Sequence, residues 1–193
     1  MRVERAEKLK KVIAKKQPTL TVVMENVDDP HNISAVLRSC DAVGIIEVYI
    51  LNSVTKSQYQ MSRKSSASAM KWLDVHHFKE TKECFEAVRE KYEKIYTTHL
   101  GEDSVGLHQM DLTKSVALVF GNEKDGVSEE ALSLADGNFV IPQVGLIQSL
   151  NISVACAVTL YEAFRQRAEK EMYVNTQLSE NQQLEMFENW SER

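Results

Sequence analysis

A strand, a helix and a second strand follow one another early in this chain. Leu20–Met24 is a short β-branched run, His31–Val43 carries its apolar residues on one helical face, and Ile45–Leu51 is apolar again. The turn residues ENVDDP separate the first strand from the helix, and Gly44 ends the helix. Such a unit requires parallel strands with the helix packed across them. The sequence therefore predicts an α/β fold built on a parallel sheet.

The rest of the chain continues this alternation of strands and helices. Further strands are predicted at Trp72–Val75, Lys94–Thr98, Ser115–Phe120 and Asn138–Ile141. Further helices are predicted at residues 2–16, at Lys79–Tyr92, after the capping residue Ser128 and after Asn151. The predicted architecture is a mostly parallel sheet flanked by helices, with helical extensions at both ends.

Composition and cysteine usage disfavour several classes of protein. The chain has no run of about 18 apolar residues, which a membrane span needs, and its N-terminal segment lacks the apolar core of a secretory signal. Cys40, Cys84 and Cys156 lie in apolar or helical patterns without a CxxC pair, and the five histidines lack metal-ligand spacing. We therefore expect a cytoplasmic protein with reduced core thiols, no metal site and no membrane contact.

Charge is distributed unevenly along the chain. The net charge is −5, yet residues 1–16 contain seven Lys or Arg and two Glu, a local charge of +5. Residues 169–193 contain two Lys or Arg and six Glu, a local charge of −4. The basic segment is compatible with a surface that contacts RNA phosphates and equally with a solvated helix face.

Three polar clusters follow predicted strands, at residues 26–38, 121–126 and 141–151. Ligands of open α/β sheets bind at the carboxyl ends of the strands, so these clusters are the candidate site. None of them contains GxxxxGK[ST], GxGxxG or GxSxG, which disfavours the usual nucleotide-binding and hydrolase sites.

The same three clusters carry a family resemblance. The segments ENVDDPHNISAVLRSCDAVGI, VFGNEKDGVSEEAL and IPQVGLIQSLNISVACAVTLYEAFRQR resemble the three motifs of the SpoU branch of the SPOUT methyltransferases. The chain is most similar to the TrmH type of that branch, over about residues 2–174. Each motif singly is suggestive, whereas all three in this order and spacing are specific.

The resemblance implies a fold, a cofactor, an assembly and a reaction. It implies a deep trefoil knot at about residues 117–160, inside a methyltransferase domain at 19–168 that lies between a basic helix at 1–18 and an acidic helical tail at 169–193. It further implies a homodimer with the active site near the subunit interface. The implied reaction is S-adenosylmethionine-dependent methylation of a tRNA ribose 2′-hydroxyl, at the D-loop guanosine in tRNA position 18.

Residue roles are also implied by the resemblance. The catalytic set would be Asn32, Arg38, Glu123, Ser149 and Asn151. The cofactor would contact Thr98, Gly121, Ile141 and Leu150, with Ile141 and Leu150 contributing main-chain groups. RNA would contact Arg5, Lys8, Lys11, Lys64, Arg165 and Arg167. Because the pKa of an arginine exceeds about 12, Arg38 suits orientation and charge stabilisation better than proton removal.

Several alternatives remain open at the level of sequence. Asn32 and Asn151 could each cap a helix, and Glu123 could be an ordinary turn carboxylate. The RNA target could instead be an rRNA ribose or the tRNA wobble position, or the chain could be a non-catalytic RNA-binding relative. The sequence departs from the family in the loop RKSSASAMKW, which is poor in glycine, and in an acidic tail shorter than in some relatives.

Overall fold

The computed structural model describes residues 2–54, 70–101, 103–147 and 149–193. Its strands are β1 Leu20–Glu25, β2 Glu47–Leu51, β3 Asp74–Phe78, β4 Lys94–Thr98, β5 Val105–Gly106, β6 Val116–Phe120 and β7 Gly137–Val140. Its α-helices are α1 Val3–Ile13, α2 Pro30–Ala42, α3 Thr81–Arg89, α4 Glu129–Leu134, α5 Ile152–Glu169 and α6 Glu180–Glu192. A 3-10 turn lies at Leu107–Gln109.

The strands form one seven-stranded sheet in the order β3-β2-β1-β6-β4-β7-β5, and every pairing in it is parallel. All residues of β1, β2 and β6 are buried because helices cover both faces of the sheet. Alternate residues of each strand point to opposite faces. The predicted parallel α/β sheet flanked by helices is therefore confirmed.

Two apolar layers hold the helices on the sheet. One layer packs α2 and α5 against β1 and β6, with Leu37 and Leu160 among its fully buried residues. The other packs α3 and α4 against the opposite face, around Phe85 and Val119. Asp29 caps α2 by accepting a hydrogen bond from the His31 N–H at 2.8 Å, and Ser128 caps α4 as predicted.

One strand lies at a different position from the predicted one, and one observed strand was not predicted. The strand expected at Trp72–Val75 lies at Asp74–Phe78, because the Trp72 ring packs edge-on against Trp190 at 5.0 Å and does not enter the sheet. The strand β5 has only two residues, too few to show a period in the sequence.

The first and last helices pack against each other. Leu9 and Ile13 of α1 form an apolar cluster with Leu178 and with Trp190 of α6. The neighbouring Lys16 is fully buried: its ammonium donates to Asp41 at 3.2 Å and to the Ile45 carbonyl at 3.0 Å, and it lies 5.2 Å from the centre of the Trp190 ring. Burial lowers the pKa of Lys16 and the Asp41 carboxylate opposes that shift. The basic segment and the acidic tail are thus one packed unit.

All three cysteines of the chain lie among the described residues. Cys40, Cys84 and Cys156 are free and buried, as expected for core thiols. In the described ranges no helix combines the length and the apolar character that crossing a bilayer needs. The same residues contain no group of three or more His, Cys, Asp or Glu placed to hold a metal ion.

Candidate functional site

The carboxyl ends of β4, β6 and β7 open onto one cavity of about 360 Å³. Parallel strands bring their carboxyl ends to the same edge of a sheet, which is why loops distant in sequence meet there. The cavity is lined by all four residues predicted to contact a cofactor and by two of the predicted catalytic residues: Thr98, Gly121, Ile141, Leu150, Glu123 and Ser149. Phe120, Phe139 and Ile152 supply apolar wall. Its volume and mixed lining suit a small organic ligand.

A chain of side-chain hydrogen bonds joins the three motif loops beside this cavity. The Asn32 amide N–H donates to the Glu123 carboxylate, and the Asn151 amide N–H donates to the Asn32 oxygen at 3.1 Å. The Asn151 oxygen accepts from the Ser153 backbone N–H at 2.9 Å, which caps α5. Asn151 therefore caps α5 and also hydrogen-bonds to Asn32. The alternative that Asn32 is a helix cap is wrong, because Asp29 fills that position.

The loop after β6 is tightly closed. Asn122 and Gly126 exchange two backbone hydrogen bonds of 3.0 and 2.8 Å, and Gly126 has a φ of +70°, a conformation that favours glycine. A Cβ at Gly121 would lie 2.1 Å from the Gly126 carbonyl oxygen, so only glycine fits there. These constraints fix the backbone on both sides of Glu123.

Two asparagines of the site were not singled out by the sequence analysis. Asn26 follows β1 with a φ of 52°, and its carbonyl accepts from the Asn122 side chain at 2.8 Å. The available signal was turn chemistry, since asparagine tolerates the left-handed conformation better than other side chains do. A turn residue at position 26 was visible in the sequence, but its partner was not.

Arg38 stands apart from the cavity. It is exposed on α2, six residues beyond Asn32, which is about 9 Å along the helix axis, and it does not line the cavity. Ser149, by contrast, is exposed and lies in the cavity wall.

The predicted RNA contacts differ in their exposure. Arg5, Lys8 and Lys11 are exposed on α1, and Lys64 lies outside the described residues. Arg165 is exposed on α5 and pairs with Glu162 at 2.8 Å and with Glu169 at 2.6 Å. Two carboxylates therefore offset the charge of Arg165.

The prediction that Arg167 contacts RNA is wrong. Its side chain is fully buried, and its guanidinium donates five hydrogen bonds of 2.9 to 3.0 Å. The acceptors are the carbonyls of Leu112, Thr19 and Lys114, the Thr19 hydroxyl and the Gln17 amide oxygen. Arg167 lies four residues after the buried Ala163 and seven after the buried Leu160, so helical periodicity already placed it on the inner face.

The ion pair between Arg165 and Glu162 predicts a pH dependence of stability. Hydrogen bonding from Arg165 lowers the pKa of the Glu162 carboxyl from 4.5 to about 2. A carboxyl whose pKa is lower in the folded state stabilises the fold above its unfolded pKa, and this stabilisation is lost as the pH falls through the folded pKa. Glu162→Gln is therefore expected to lower the free energy of unfolding at pH 7, with the difference from wild type vanishing between pH 4.5 and about 2.

Urea unfolding of both proteins across this pH range measures the difference, and Glu188→Gln, at an exposed position of α6, is the matched control. A difference that stays constant from pH 7 to pH 2 would contradict the expectation.

Comparison with known proteins places this geometry among RNA methylases. Residues 19–161 match the model of the SpoU rRNA methylase family. A tRNA (guanosine(18)-2′-O)-methyltransferase of Thermus thermophilus is 40% identical over 186 residues, which is 96% of this chain and 95% of the relative. The crystal structure of the Aquifex aeolicus TrmH/SpoU tRNA modifying enzyme has 36% identity and a TM-score of 0.88 over 98% of this chain and 95% of that one.

A second solved structure is similar over a smaller share of its length. The SpoU methyltransferase AviRb of Streptomyces viridochromogenes, in complex with the cofactor AdoMet, has 25% identity and a TM-score of 0.70 over 87% of this chain and 65% of that one.

Proposed function

The chain belongs to the SpoU methylase family, and from that premise we propose that it is a tRNA 2′-O-ribose methyltransferase that acts on the guanosine at tRNA position 18. The observation that carries the proposal is a hydrogen-bonded link among the three motifs, in which Asn32 donates to Glu123 in the cavity wall and accepts from Asn151. The names of relatives that match nearly the full length supply the substrate.

We assign the cavity to S-adenosylmethionine. Phe139 and Ile152 give apolar wall for an adenosine, and the Gly121, Ile141 and Leu150 backbones can approach it without bulky charged groups. The Glu123 carboxylate in the wall suits a ligand that carries positive charge on sulfur. The bound cofactor would supply a methyl group activated by that sulfonium.

The residues around the cavity then have separate tasks. Asn32 and Asn151 present amides that can hold the ribose, and Glu123 fixes the orientation of Asn32. A guanidinium has donors and no acceptor, so Arg38 is not assigned the removal of a proton. Its task is to hold a substrate phosphate and to stabilise the charge that develops on the 2′-oxygen.

Mapping the methylated nucleotide tests the proposed reaction. The protein is incubated with unmodified tRNA, with rRNA and with isotopically labelled cofactor, and the RNA is digested and analysed by mass spectrometry. The expected product is 2′-O-methylguanosine at position 18 of the tRNA. A label confined to rRNA or to the wobble nucleotide would replace the substrate, and the absence of label together with no cofactor binding by calorimetry would favour the non-catalytic alternative.

We further propose that two copies of the chain associate through α5. Val154, Val158, Tyr161 and Phe164 are between 37% and 55% exposed, and their spacing of four, three and three residues places them on one face of the helix. This apolar face begins beside Asn151 and so is continuous with the site. A second copy would cover the face and lie next to the active site.

Light scattering after gel filtration tests the association. Wild type is expected to have the mass of two chains, and Val158→Asp the mass of one. A monomeric wild type, or a dimer unaffected by a charge at position 158, would refute this interface.

The proposal includes the knot at about residues 117–160. Family membership supports the knot, and so does the strand order. In the sheet β4 lies between β6 and β7, although β7 follows β6 in the chain.

A tRNA substrate also implies a cytoplasmic location.

The exposed cations of α1 are proposed to contact tRNA phosphates, which predicts a salt dependence. Replacing Arg5, Lys8 and Lys11 together by alanine should weaken tRNA binding and reduce the slope of log affinity against log salt by about 2 to 3, if each cation neutralises one phosphate. Filter binding at several salt concentrations measures the slope. The control pair is Lys79→Ala with Lys82→Ala, two exposed cations of which the first lies just before α3 and the second in its first turn. An unchanged slope in the triple variant would remove α1 from the RNA surface.

A further inference from the structure

Asn26 is anchored to the end of β2 through both its backbone and its side chain. Its N–H donates to the Leu51 carbonyl at 2.8 Å, and its side-chain oxygen accepts from the N–H groups of Ser53 and Val54 at 2.9 and 3.2 Å. The φ of 52° fixes the direction of the backbone at this point. The Asn26 carbonyl is thereby a rigid acceptor at the carboxyl edge of the sheet.

The backbone and the side chain of Asn122 are both engaged in hydrogen bonds. Its backbone pairs with Gly126, its side-chain oxygen accepts from the Lys124 N–H at 2.8 Å, and its side-chain N–H donates to the Asn26 carbonyl at 2.8 Å. The same side chain therefore closes its own loop and attaches that loop to the end of β1. The next residue is Glu123, whose carboxylate meets Asn32.

The far end of the loop is attached to β1 independently. Glu25 is fully buried, and its carboxylate accepts from the Ser128 N–H at 2.9 Å and from the Ser128 hydroxyl at 2.5 Å. The loop after β6 is thus tied at both ends to two consecutive residues, Glu25 and Asn26. The bond between Asn122 and Asn26 is the one adjacent to Glu123.

We propose that Asn26 and Asn122 are positioning residues that hold Glu123 at the place where it can fix Asn32. The inference rests on the proposed function, because it assigns their effect to methyl transfer. Losing the Asn122 donor leaves the Gly126 backbone pair and the Glu25–Ser128 contacts in place. The fold should therefore persist while Glu123 shifts relative to Asn32.

Two variants of Asn122 and one control separate the effect of the bond to Asn26 from the effect of the bond from Lys124. Asn122→Ala removes both side-chain bonds, whereas Asn122→Asp keeps the acceptor for Lys124 and replaces the N–H given to Asn26 by a carboxylate oxygen that the Asn26 carbonyl repels. The control is Asn181→Asp, an exposed asparagine on α6. Both Asn122 variants are expected to lower kcat by about 10- to 100-fold, because small displacements of catalytic groups have effects of that size, while the control keeps wild-type turnover.

A double-mutant cycle distinguishes positioning from a general structural effect. If Asn122 acts through Glu123, adding Asn122→Asp to Glu123→Ala should lower kcat by less than about twofold further, since groups acting as one unit are not additive. Wild-type turnover in both Asn122 variants, or reductions that multiply in the double variant, would overturn the inference.

Hydrogen–deuterium exchange of the protein without RNA gives a readout independent of catalysis. Backbone amides between residues 122 and 127 are expected to exchange faster in Asn122→Asp than in wild type and in Asn181→Asp. Unchanged exchange in this segment would overturn the positioning inference even if the wild-type protein methylates tRNA. Failure of the wild type to methylate any RNA would instead refute the proposed function, while faster exchange would still support the role of the pair in holding the loop.

Discussion

Arg38→Ala is expected to lower kcat for tRNA methylation by about 100- to 1000-fold while leaving cofactor affinity nearly unchanged. Arg38 is exposed on α2 and lies outside the cavity lining, so its removal deletes no wall of the cofactor site. Its proposed contacts are with the substrate phosphate and the reacting ribose, where charge develops in the transition state. An interaction made mainly in the transition state changes kcat rather than binding.

Single-turnover methylation and calorimetry with the cofactor measure the two quantities separately. Arg38→Lys is expected to recover only part of the rate, since an ammonium keeps the charge but lacks the planar two-point geometry of a guanidinium. Lys82→Ala, an exposed cation on α3 across the sheet, is the matched control. Near-normal turnover in Arg38→Ala would remove Arg38 from the mechanism.

Arg167→Ala is expected to lower the free energy of unfolding by about 3 to 5 kcal/mol, which corresponds to a fall in Tm of about 10 °C for a chain of this size. The substitution leaves the carbonyls of Thr19, Leu112 and Lys114 without their buried donor and opens a cavity at the end of α5. Burial lowers the pKa of Arg167 to about 10, so the guanidinium stays charged at neutral pH and the hydrogen bonds offset its desolvation.

Thermal and urea unfolding measure this effect, and the same helix provides the control. Arg165→Ala removes an exposed arginine two residues earlier and should destabilise the fold much less than Arg167→Ala, because solvent screens its ion pairs with Glu162 and Glu169. Arg167→Lys should also be strongly destabilised, because an ammonium has fewer donors than a guanidinium and cannot span the same acceptors. Equal stability losses for Arg165→Ala and Arg167→Ala would contradict the buried network.

Periodicity predicted the elements whose burial pattern is regular. The run Ser115–Phe120 and the unit between Leu20 and Leu51 were placed correctly because strands covered on both faces are apolar throughout. The strand near Trp72 was displaced because a tryptophan contact with α6 competes with the sheet there, and a tertiary contact of this kind leaves no periodic signal. Local pattern thus fails where a distant element decides the packing.

The sequence named candidate residues for the site but not the contacts among them. Family resemblance selected Asn32, Glu123 and Asn151, and the parallel sheet explains why they meet. Their pairing could not be read from the sequence, because Glu123 lies 91 residues and Asn151 lies 119 residues from Asn32 along the chain. A separation of 96 residues likewise hid the hydrogen bond between Asn122 and Asn26.

The packing of α1 on α6 means that the two ends of the chain depend on one another. The cations that face solvent on α1 are supported from behind by Leu9 and Ile13, which rest on Trp190, a residue three positions from the last. The acidic tail therefore supports the basic helix by packing against its apolar face. A protease that trimmed the tail would leave every motif residue in place, but it would remove the residues on which α1 packs.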